Sequence, residues 1–373
     1  MLSNLLPASL LSLSYIVTAA SAAPFKFADN PLGNSFPNPN QQQTLDIQTQ
    51  AHGSLPNGAP PATINPNTLT SLRLIAFNEL FEVAFFSSLL NNMTTNATGF
   101  EFQSSSARDT ALAAVTAILA QEELHALNAN GALSHFNTPP IQPCQYTFPT
   151  TTYDDAIALA STFTDLVLGT LQDVSSLMGS NGDAGLIRSI TSVLGQEGEQ
   201  NGFFRSTSNK IPSALPFLTA STREFAFSAL NQNFVVPGSC DPSNLATIDL
   251  PIFPPLSVLT QKITAKEQML RFSLEFETGA GTPGKIWKEQ MGMQYDDLSV
   301  AYINQQNLPA VQKIQNLDLT ASGLTFEAIF PFQEGTFGNG LTIAVLARSG
   351  GDLTTVEGVA SATVFGPGLI EVN

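Results

Sequence analysis

The spacing of hydrophobic positions changes twice along this chain and divides it into three parts. Residues 23–66 contain eight prolines with clusters of Asn and Gln and show no regular period, which predicts a linker or a strap lying on the surface without regular secondary structure. From about residue 67 apolar residues recur three and four positions apart, as in helices, and from about residue 250 they alternate with polar residues, as in strands.

The middle part, residues 67–249, has the pattern of a helical bundle. Helices are predicted at 68–91, 104–130, 153–178 and 183–206, with a shorter one near 220–232. Gly, Pro and Asn residues lie between these segments, where the chain has to leave each helix. Four long helices with apolar stripes predict an antiparallel four-helix bundle.

The last part, residues 250–373, has the pattern of an antiparallel β domain. Leu270, Phe272, Leu274 and Phe276 alternate with polar residues, as in a half-buried strand. Further strands are predicted at 257–263, 298–304, 324–330, 341–348 and 358–365. The fold class is therefore expected to be α+β and multidomain, with a β-sandwich-like C-terminal domain.

The N-terminal residues predict secretion. Residues 1–22 carry no charged side chain, contain an apolar stretch at 10–19 and end in small residues, as a signal peptide does, although no Lys or Arg precedes the apolar stretch. That stretch is too short to cross a bilayer, and no later segment is expected to do so. We therefore expect an extracellular protein, in solution or in the cell wall.

Two further features agree with an extracellular location. Asn92 and Asn96 begin adjacent glycosylation sequons in a polar stretch, which predicts an exposed, glycosylated loop. Cys144 and Cys240 form an even count, so a disulfide is the expected state in an oxidising compartment, and a reactive thiol or metal ligand is the alternative.

Charge narrows the list of partners. The chain has 14 Lys and Arg against 30 Asp and Glu, a formal net charge of −16, which argues against nucleic acid and anionic membranes as partners. Only 12% of the residues are charged. That fraction is below the roughly 25% of average soluble domains and suits a protein kept soluble by neutral polar groups.

Glutamates interrupt the apolar stripes of three predicted helices. Glu79, Glu122 and Glu197 each occupy a position where the stripe otherwise carries apolar residues, and His125 lies one turn after Glu122 on the same face. A buried carboxylate without a partner costs several kcal/mol, so each of these glutamates needs a cation, a hydrogen-bond partner or a proton.

This arrangement is typical of the di-metal site of ferritin-like bundles, with two changes. Such a site takes one Glu from each of two helices and a Glu-x-x-His pair from each of the others. Here Gln200 stands where the second His is expected, and Thr164 stands where the third helix should supply a carboxylate. Asp165 is the nearest replacement but points about 100° away around the helix. Of the other glutamates, Glu82 is expected beside the ligands rather than among them, Glu123 on a solvated face and Glu199 in solvent.

The segments 78–86, 121–127 and 197–205 resemble the secreted ferritin-like proteins of fungi, called stress-responsive or late-sexual-development proteins, which are similar to plant desiccation-related proteins. Residues 211–213 and 216–217 fit the same group. The resemblance covers roughly residues 65–247, implies a ferritin-like bundle there, and leaves the β part unassigned.

Two functions remain open for this chain. One is a non-catalytic extracellular protein of stress response or sexual development, in which Glu79, Glu122, His125 and Glu197 form a buried polar network or a degenerate metal site. The other is a metal-dependent oxidase that uses these residues as ligands for iron or manganese. A single divalent ion at the site could be iron, manganese or zinc, which accept mixed nitrogen and oxygen donors. In the first case, the sequence suggests that Glu122→Gln costs the metal-free protein little stability.

One motif resembles a phosphate-binding loop but is not expected to bind nucleotide. Residues 279–285, GAGTPGK, match most of a phosphate-binding loop, but Ile286 replaces the Ser or Thr that would bind magnesium and no amphipathic helix clearly follows. We expect a hairpin loop without nucleotide there.

Overall fold

The computed structural model describes residues 23–29, 31–276, 295–320 and 322–372. The predicted signal peptide, residues 1–22, and the glycine-rich segment 279–285 lie outside the described residues. The described α-helices are α1 (Gln41–Gln50), α2 (Pro66–Thr94), α3 (Ser105–His135), α4 (Tyr153–Ser180), α5 (Ala184–Thr207), α6 (Arg223–Asn233), α7 (Pro242–Ile248) and α8 (Val356–Ala362). The described strands are β1 (Ser257–Val258), β2 (Gln268–Glu275), β3 (Leu298–Asn304), β4 (Ala310–Lys313), β5 (Gln315–Leu319), β6 (Gly323–Phe330), β7 (Gly340–Arg348) and β8 (Thr363–Val372).

The four long helices α2 to α5 form the predicted bundle around one apolar core. Three of them begin at a residue whose side chain caps the helix: Asn65 before α2, Ser104 before α3 and Thr152 before α4. Short connections join α2 to α3 and α4 to α5, whereas residues 136–152 form one longer connection between the two pairs, as in ferritin-like folds.

Helix α2 is the central helix of the bundle. By length and composition it could cross a membrane, but 78% of its most apolar window is buried inside the protein. Phe77, Phe81 and Phe86 have no exposed surface, so the helix is apolar because it is surrounded by protein.

The strap, residues 23–66, is more regular than its composition predicts. Helix α1 forms within it because Asn40 and Gln43 cap the helix reciprocally, each side chain accepting from the other's backbone N–H. Ile47 of α1 is buried against Leu124 of α3. The prediction of no regular structure was therefore wrong for these residues, because a capping pair and a few apolar contacts suffice to form a helix on the bundle surface.

The C-terminal part is a sandwich of two antiparallel four-stranded sheets, in the orders β1-β2-β6-β5 and β4-β3-β7-β8. Phe272 of β2 lies opposite Phe326 of β6 in the first sheet. The Phe272 ring is 6.5 Å from the ring of Tyr302 in β3 of the second sheet. The predicted α+β architecture and the predicted inward face of β2 are confirmed.

The second sheet is covered on both faces, which fixes the sandwich against the bundle. On its outer face Ile303, Ile343 and Val345 pack against Leu166 of α4 and Phe225 of α6. Every residue of β3 is buried as a result. A strand buried on both faces reads as a continuous apolar run rather than as an alternating pattern.

Two strand predictions differ from the structure. Of the segment 257–263 only Ser257–Val258 pairs as a strand. In the segment 358–365, helix α8 extends to Ala362 and strand β8 begins at Thr363, because the Thr355 side chain caps the preceding helix by accepting from the Gly358 N–H. The short, largely exposed strands β4 and β5 have no strong apolar alternation and were not predicted.

A disulfide joins Cys144 and Cys240. It ties the connection that leads into α4 to the segment between α6 and α7. The expected pairing is therefore present, and the described residues contain no free cysteine.

Candidate metal centre

Three helices bring the four candidate ligands together. Glu79 lies on α2, Glu122 and His125 lie on α3, and Glu197 lies on α5. Each offers one ligand atom, and these atoms lie within 4.8 Å of one another. The three glutamates are buried, and the His125 side chain is 15% exposed. The stripes of the sequence thus converge on one point at the bundle centre.

Glu122 is the best-connected member of this group. Its Oε2 lies 2.9 Å from Nδ1 of His125, and its Oε1 accepts a hydrogen bond of 2.5 Å from Nε2 of Gln200. The same His125 nitrogen is 3.5 Å from Oε2 of Glu79. Gln200, which occupies the position of the lost histidine, therefore contacts the site and fixes the orientation of one of its carboxylates.

Glu197 is the least connected member. Both of its carboxylate oxygens are buried, and neither has a hydrogen-bond partner in the described part of the chain. A buried polar atom without a partner is rare in folded proteins and calls for an explanation such as an ion or a water molecule.

Glu82 is a fourth acidic residue at the same place. It is buried on α2, one turn after Glu79, and its Oε1 accepts a hydrogen bond of 3.1 Å from Nδ2 of Asn78. Burial, followed by the charges of Glu122, Glu197 and Glu79, raises its pKa well above the usual range. We call Glu79, Glu82, Glu122, His125 and Glu197 the centre cluster. The spacing of three between Glu79 and Glu82 is the sequence signal that could have placed Glu82 in it.

The pKa values in the centre cluster follow from burial and mutual charge. Burial raises the pKa of Glu79 to about 7 against the lowering effect of His125. Burial and the charges of Glu79 and Glu122 raise the pKa of Glu197 well above its usual range. For Glu122 the effect of burial is overcome by the charge and hydrogen bond of His125 and the hydrogen bond of Gln200, so its pKa is lowered.

His125 completes this pattern. Burial disfavours its charged form, but the charges of Glu122 and Glu79 outweigh that effect and raise its pKa well above the usual range. Without a metal ion the cluster is therefore expected to hold one Glu122–His125 ion pair, with protons on other glutamates. Four buried carboxyl groups face one imidazole, so the protein alone supplies too little positive charge to ionise them all.

A divalent cation fits this donor set. Three carboxylates and one imidazole are the donors that iron and manganese accept. The span of 4.8 Å can close around an ion whose bonds are about 2.1 Å long if side chains move by a few tenths of an ångström. An ion would also supply the missing partner of Glu197 and the missing positive charge.

The third helix contributes nothing to the centre cluster. Thr164 is buried at the position of the lost carboxylate, and Asp165 lies elsewhere. Oδ1 of Asp165 accepts a hydrogen bond of 2.9 Å from Nδ2 of Asn201. Burial, followed by the charge and hydrogen bond of Glu371, raises the pKa of Asp165 well above its usual range. We call Asp165 and Glu371 the interface pair, because it joins α4 of the bundle to β8 of the sandwich.

Two other glutamates were expected to lie on a solvated face or in solvent. Glu199 is exposed, as expected. Glu123 is buried, and its Oε1 accepts a hydrogen bond of 2.6 Å from Nδ2 of Asn34. The prediction for Glu123 was wrong because the strap covers this face of α3, which the bundle pattern alone does not reveal.

A cavity connects the centre cluster with the protein surface. Its volume is about 180 Å³, and Glu79 and His125 line it together with apolar side chains of the bundle and residues of the strap. The strap thus forms part of the wall of this route toward the cluster.

The two sequon asparagines lie at the end of α2. Asn92 is half-buried within the last turn of the helix. Asn96 is exposed beyond the helix end, with a φ of 49°, and its Oδ1 accepts a hydrogen bond of 3.2 Å from Nε of Arg108. Of the two, Asn96 has the more accessible side chain.

Comparison with known proteins agrees with this geometry. The family described as ferritin-like domain matches residues 71–210, which include most of α2, all of α3 to α5 and all members of the centre cluster. No curated protein gives a significant match. Residues 71–210 therefore form a ferritin-like domain, to which this chain adds a strap before it and a β-sandwich after it.

Proposed function

We propose that this protein is an extracellular ferritin-like protein that binds a single divalent iron or manganese ion between Glu79, Glu122, His125 and Glu197. The observation that carries the proposal is Glu197, whose two buried oxygens have no partner in the described residues although three other potential ligands surround it. A network that served structure alone would be expected to satisfy these oxygens.

One ion suits the residues better than two. The position that would supply a carboxylate from α4 is Thr164, and the second histidine position is Gln200. The hydrogen bond of Gln200 to Glu122 makes it a positioning residue for a ligand. Glu82 is a further buried carboxyl group beside the ligands, and a cation there would favour its charged form.

The chain's own residues set the surroundings of this ion. Gln200 and His125 hold the two oxygens of Glu122 in place. The apolar core around the cluster excludes bulk water and leaves the cavity as the approach. Iron or manganese bound there would supply a one-electron redox couple.

The proposal also includes the location of the protein and its biological role. The predicted signal peptide and sequons support secretion, and a disulfide is consistent with it. By its resemblance to the fungal proteins, the chain would act in stress response or sexual development, in solution or in the cell wall, by holding a metal rather than by catalysis.

A second candidate function is an iron- or manganese-dependent oxidase. The cavity favours this alternative, because it lets a small molecule reach Glu79 and His125 from outside.

The test is a metal titration of the purified full-length protein. Isothermal titration with Mn(II), and with Fe(II) under argon, is expected to give one ion per chain. Glu197→Gln is expected to weaken binding at least about a hundredfold, since a charged ligand is lost. Glu199→Gln, an exposed glutamate on the same helix, serves as the matched control and is expected to bind like the wild type.

Two results would contradict the proposal. One is the absence of binding at millimolar metal in a protein whose circular dichroism shows a folded bundle. The other is binding that Glu197→Gln leaves unchanged, which would place the ion elsewhere.

A further inference from the structure

The cavity beside the centre cluster has the size of a single aromatic ring. Its volume is about 180 Å³, and an apolar cavity of about 150 Å³ is known to hold benzene. Drug-sized ligands need pockets of roughly 300 Å³ or more, so the cavity is too small for them.

The cavity wall combines a polar end with a larger apolar surface. Glu79 and His125, whose side chains are 3.5 Å apart, form the polar end, and apolar side chains such as Ile75, Ala129 and Ile190 also line the cavity. A sugar would have to give up its water against this apolar surface. A ligand with an apolar body and one polar end suits the wall better.

The polar end can both donate to a ligand and accept from it. Nδ1 of His125 is occupied by Glu122 and Glu79, so its other nitrogen, Nε2, is the one left for a ligand. Glu79 also lines the cavity, so its carboxyl group is within reach of the same ligand. A phenol hydroxyl can use both groups, because it donates and accepts, whereas a carboxylate would have to be buried beside other carboxyl groups.

The outer wall is held largely by packing. Pro56, Gly58, Ala59, Pro60 and Pro61 of the strap line the cavity, and we call residues 56–61 the proline segment. It is held at its ends, where Nε2 of His135 donates to the Pro61 carbonyl at 3.0 Å and the Leu55 N–H donates to Gln48 Oε1 at 2.9 Å. Between these anchors, residues 56–60 show no hydrogen bond to the other described residues, and packing alone holds them over the cavity.

The packing at one anchor depends on a glycine. A Cβ atom at Gly185, in the first turn of α5, would lie 3.1 Å from Cγ of Pro61. The absence of that atom lets the proline segment lie directly on the helix. The wall is therefore a fitted part of the structure and not a loop that happens to pass by.

We propose that this cavity binds a neutral single-ring phenol, with the ring between the apolar side chains and the hydroxyl at Glu79 and His125. The inference rests on the proposed function, since it names the class of small molecule that would share the metal's site.

Fluorine NMR on the full-length protein tests the proposal with three probes of one size: 4-fluorophenol, 4-fluorotoluene and 4-fluorobenzoate. The phenol is expected to bind most tightly. The toluene should be weaker because it lacks the hydroxyl, and the benzoate weakest because its charge is buried beside glutamates.

Two cavity-filling variants localise the binding. Ala132→Leu on α3 and Ser189→Leu on α5 fill the cavity from opposite walls without touching the ligands of the metal. Each is expected to weaken phenol binding at least about tenfold and to leave Mn(II) affinity unchanged. Ala113→Leu and Ser192→Leu, at exposed positions of the same helices, are the controls and are expected to bind phenol normally. The use of two walls keeps the test valid if one variant fails to fold.

The outcomes separate the two proposals. Metal binding without phenol binding, or phenol binding that neither filling variant weakens, would overturn the inference and leave the proposed function standing. Tightest binding by the benzoate would also overturn it. Phenol binding that the filling variants abolish, in a protein that takes up no metal, would support the inference and contradict the proposed function.

Discussion

The molecule buries carboxyl groups in two places, and the two places differ in the partners that the protein offers to those groups. In the interface pair, Asp165 accepts from Asn201, whose own Oδ1 accepts from Ser161 at 2.7 Å. The charge of Arg205 lowers the pKa of Asp165 in part, against the larger effects of burial and Glu371. In the centre cluster, by contrast, four carboxyl groups share one imidazole, and Glu197 has no hydrogen-bond partner among the described residues.

This difference in available partners distinguishes a structural contact from a site that needs a cation. Oδ2 of Asp165 also lacks a hydrogen-bond partner among the described residues, but the interface pair has only two carboxyls, which one proton, the Asn201 amide and the charge of Arg205 can stabilise as a contact between bundle and sandwich. The centre cluster needs positive charge that the protein does not supply. A buried group of acids suggests a metal site only where the protein's own donors and cations fall short.

The largest expected effect is that of Glu122→Gln on the metal-free protein. This substitution removes the charged partner of His125, and breaking a buried ion pair from one side costs about 3–5 kcal/mol. The structure thus reverses the expectation from sequence that the change costs little. Urea denaturation at pH 7 with a chelator measures the loss, with Glu199→Gln as the control, and a loss below about 1 kcal/mol would show that the pair is not ionised.

The second prediction concerns Gln200→Ala and metal affinity. Loss of the hydrogen bond that orients Glu122 is expected to weaken Mn(II) binding by about ten- to a hundredfold. Gln196→Ala is the matched control, because Gln196 lies one turn earlier and bonds Gln121 instead of the cluster. Equal affinities for the two variants would remove Gln200 from the site.

The third prediction uses pH to examine the interface pair. The pKa of Asp165 is raised in the folded state by burial and then by Glu371, so the folded protein holds a proton that the unfolded chain releases near pH 4. The resulting stability is present below that pH and is lost as the pH rises toward the folded pKa, by up to about 1.4 kcal/mol for each pH unit.

Asp165→Asn is expected to reduce this loss of stability with rising pH, since an amide cannot ionise. The free energy of unfolding of the variant, measured from pH 4 to pH 8 without metal, should fall less steeply than that of the wild type. Asp154→Asn, at an exposed position of the same helix, should reproduce the wild-type slope. Besides Glu371 and Arg205, Lys210 interacts with Asp165, and it is unchanged in all three proteins. Parallel curves for wild type and Asp165→Asn would contradict the account.

The smallest effect is expected for Glu197→Gln in the metal-free protein. Burial and then the charges of Glu79 and Glu122 favour the neutral form of Glu197, so a neutral amide of the same shape should change the free energy of unfolding by less than about 1 kcal/mol. The contrast with Glu122→Gln, measured by the same denaturation, separates the protonated acid from the ionised one. A loss as large as that of Glu122→Gln would mean that Glu197 is charged.

The stripe pattern predicted the centre cluster because a glutamate within the apolar stripe of a bundle helix must face the interior of the bundle. Glu79, Glu122 and Glu197 could therefore be placed from sequence, as could the inward face of β2. The interface pair could not, because Asp165 and Glu371 are far apart in the chain and meet only when the sandwich docks on the bundle. The burial of Glu123 was missed for the same reason, since it depends on Asn34 of the strap.

Anomalous diffraction from crystals of the protein grown with Mn(II) tests the central claim most directly. The account predicts one anomalous peak between Glu79, Glu122, His125 and Glu197, and no peak at Asp165 and Glu371. A peak at the interface pair, or a fully ordered centre cluster without a peak at saturating Mn(II), would contradict it.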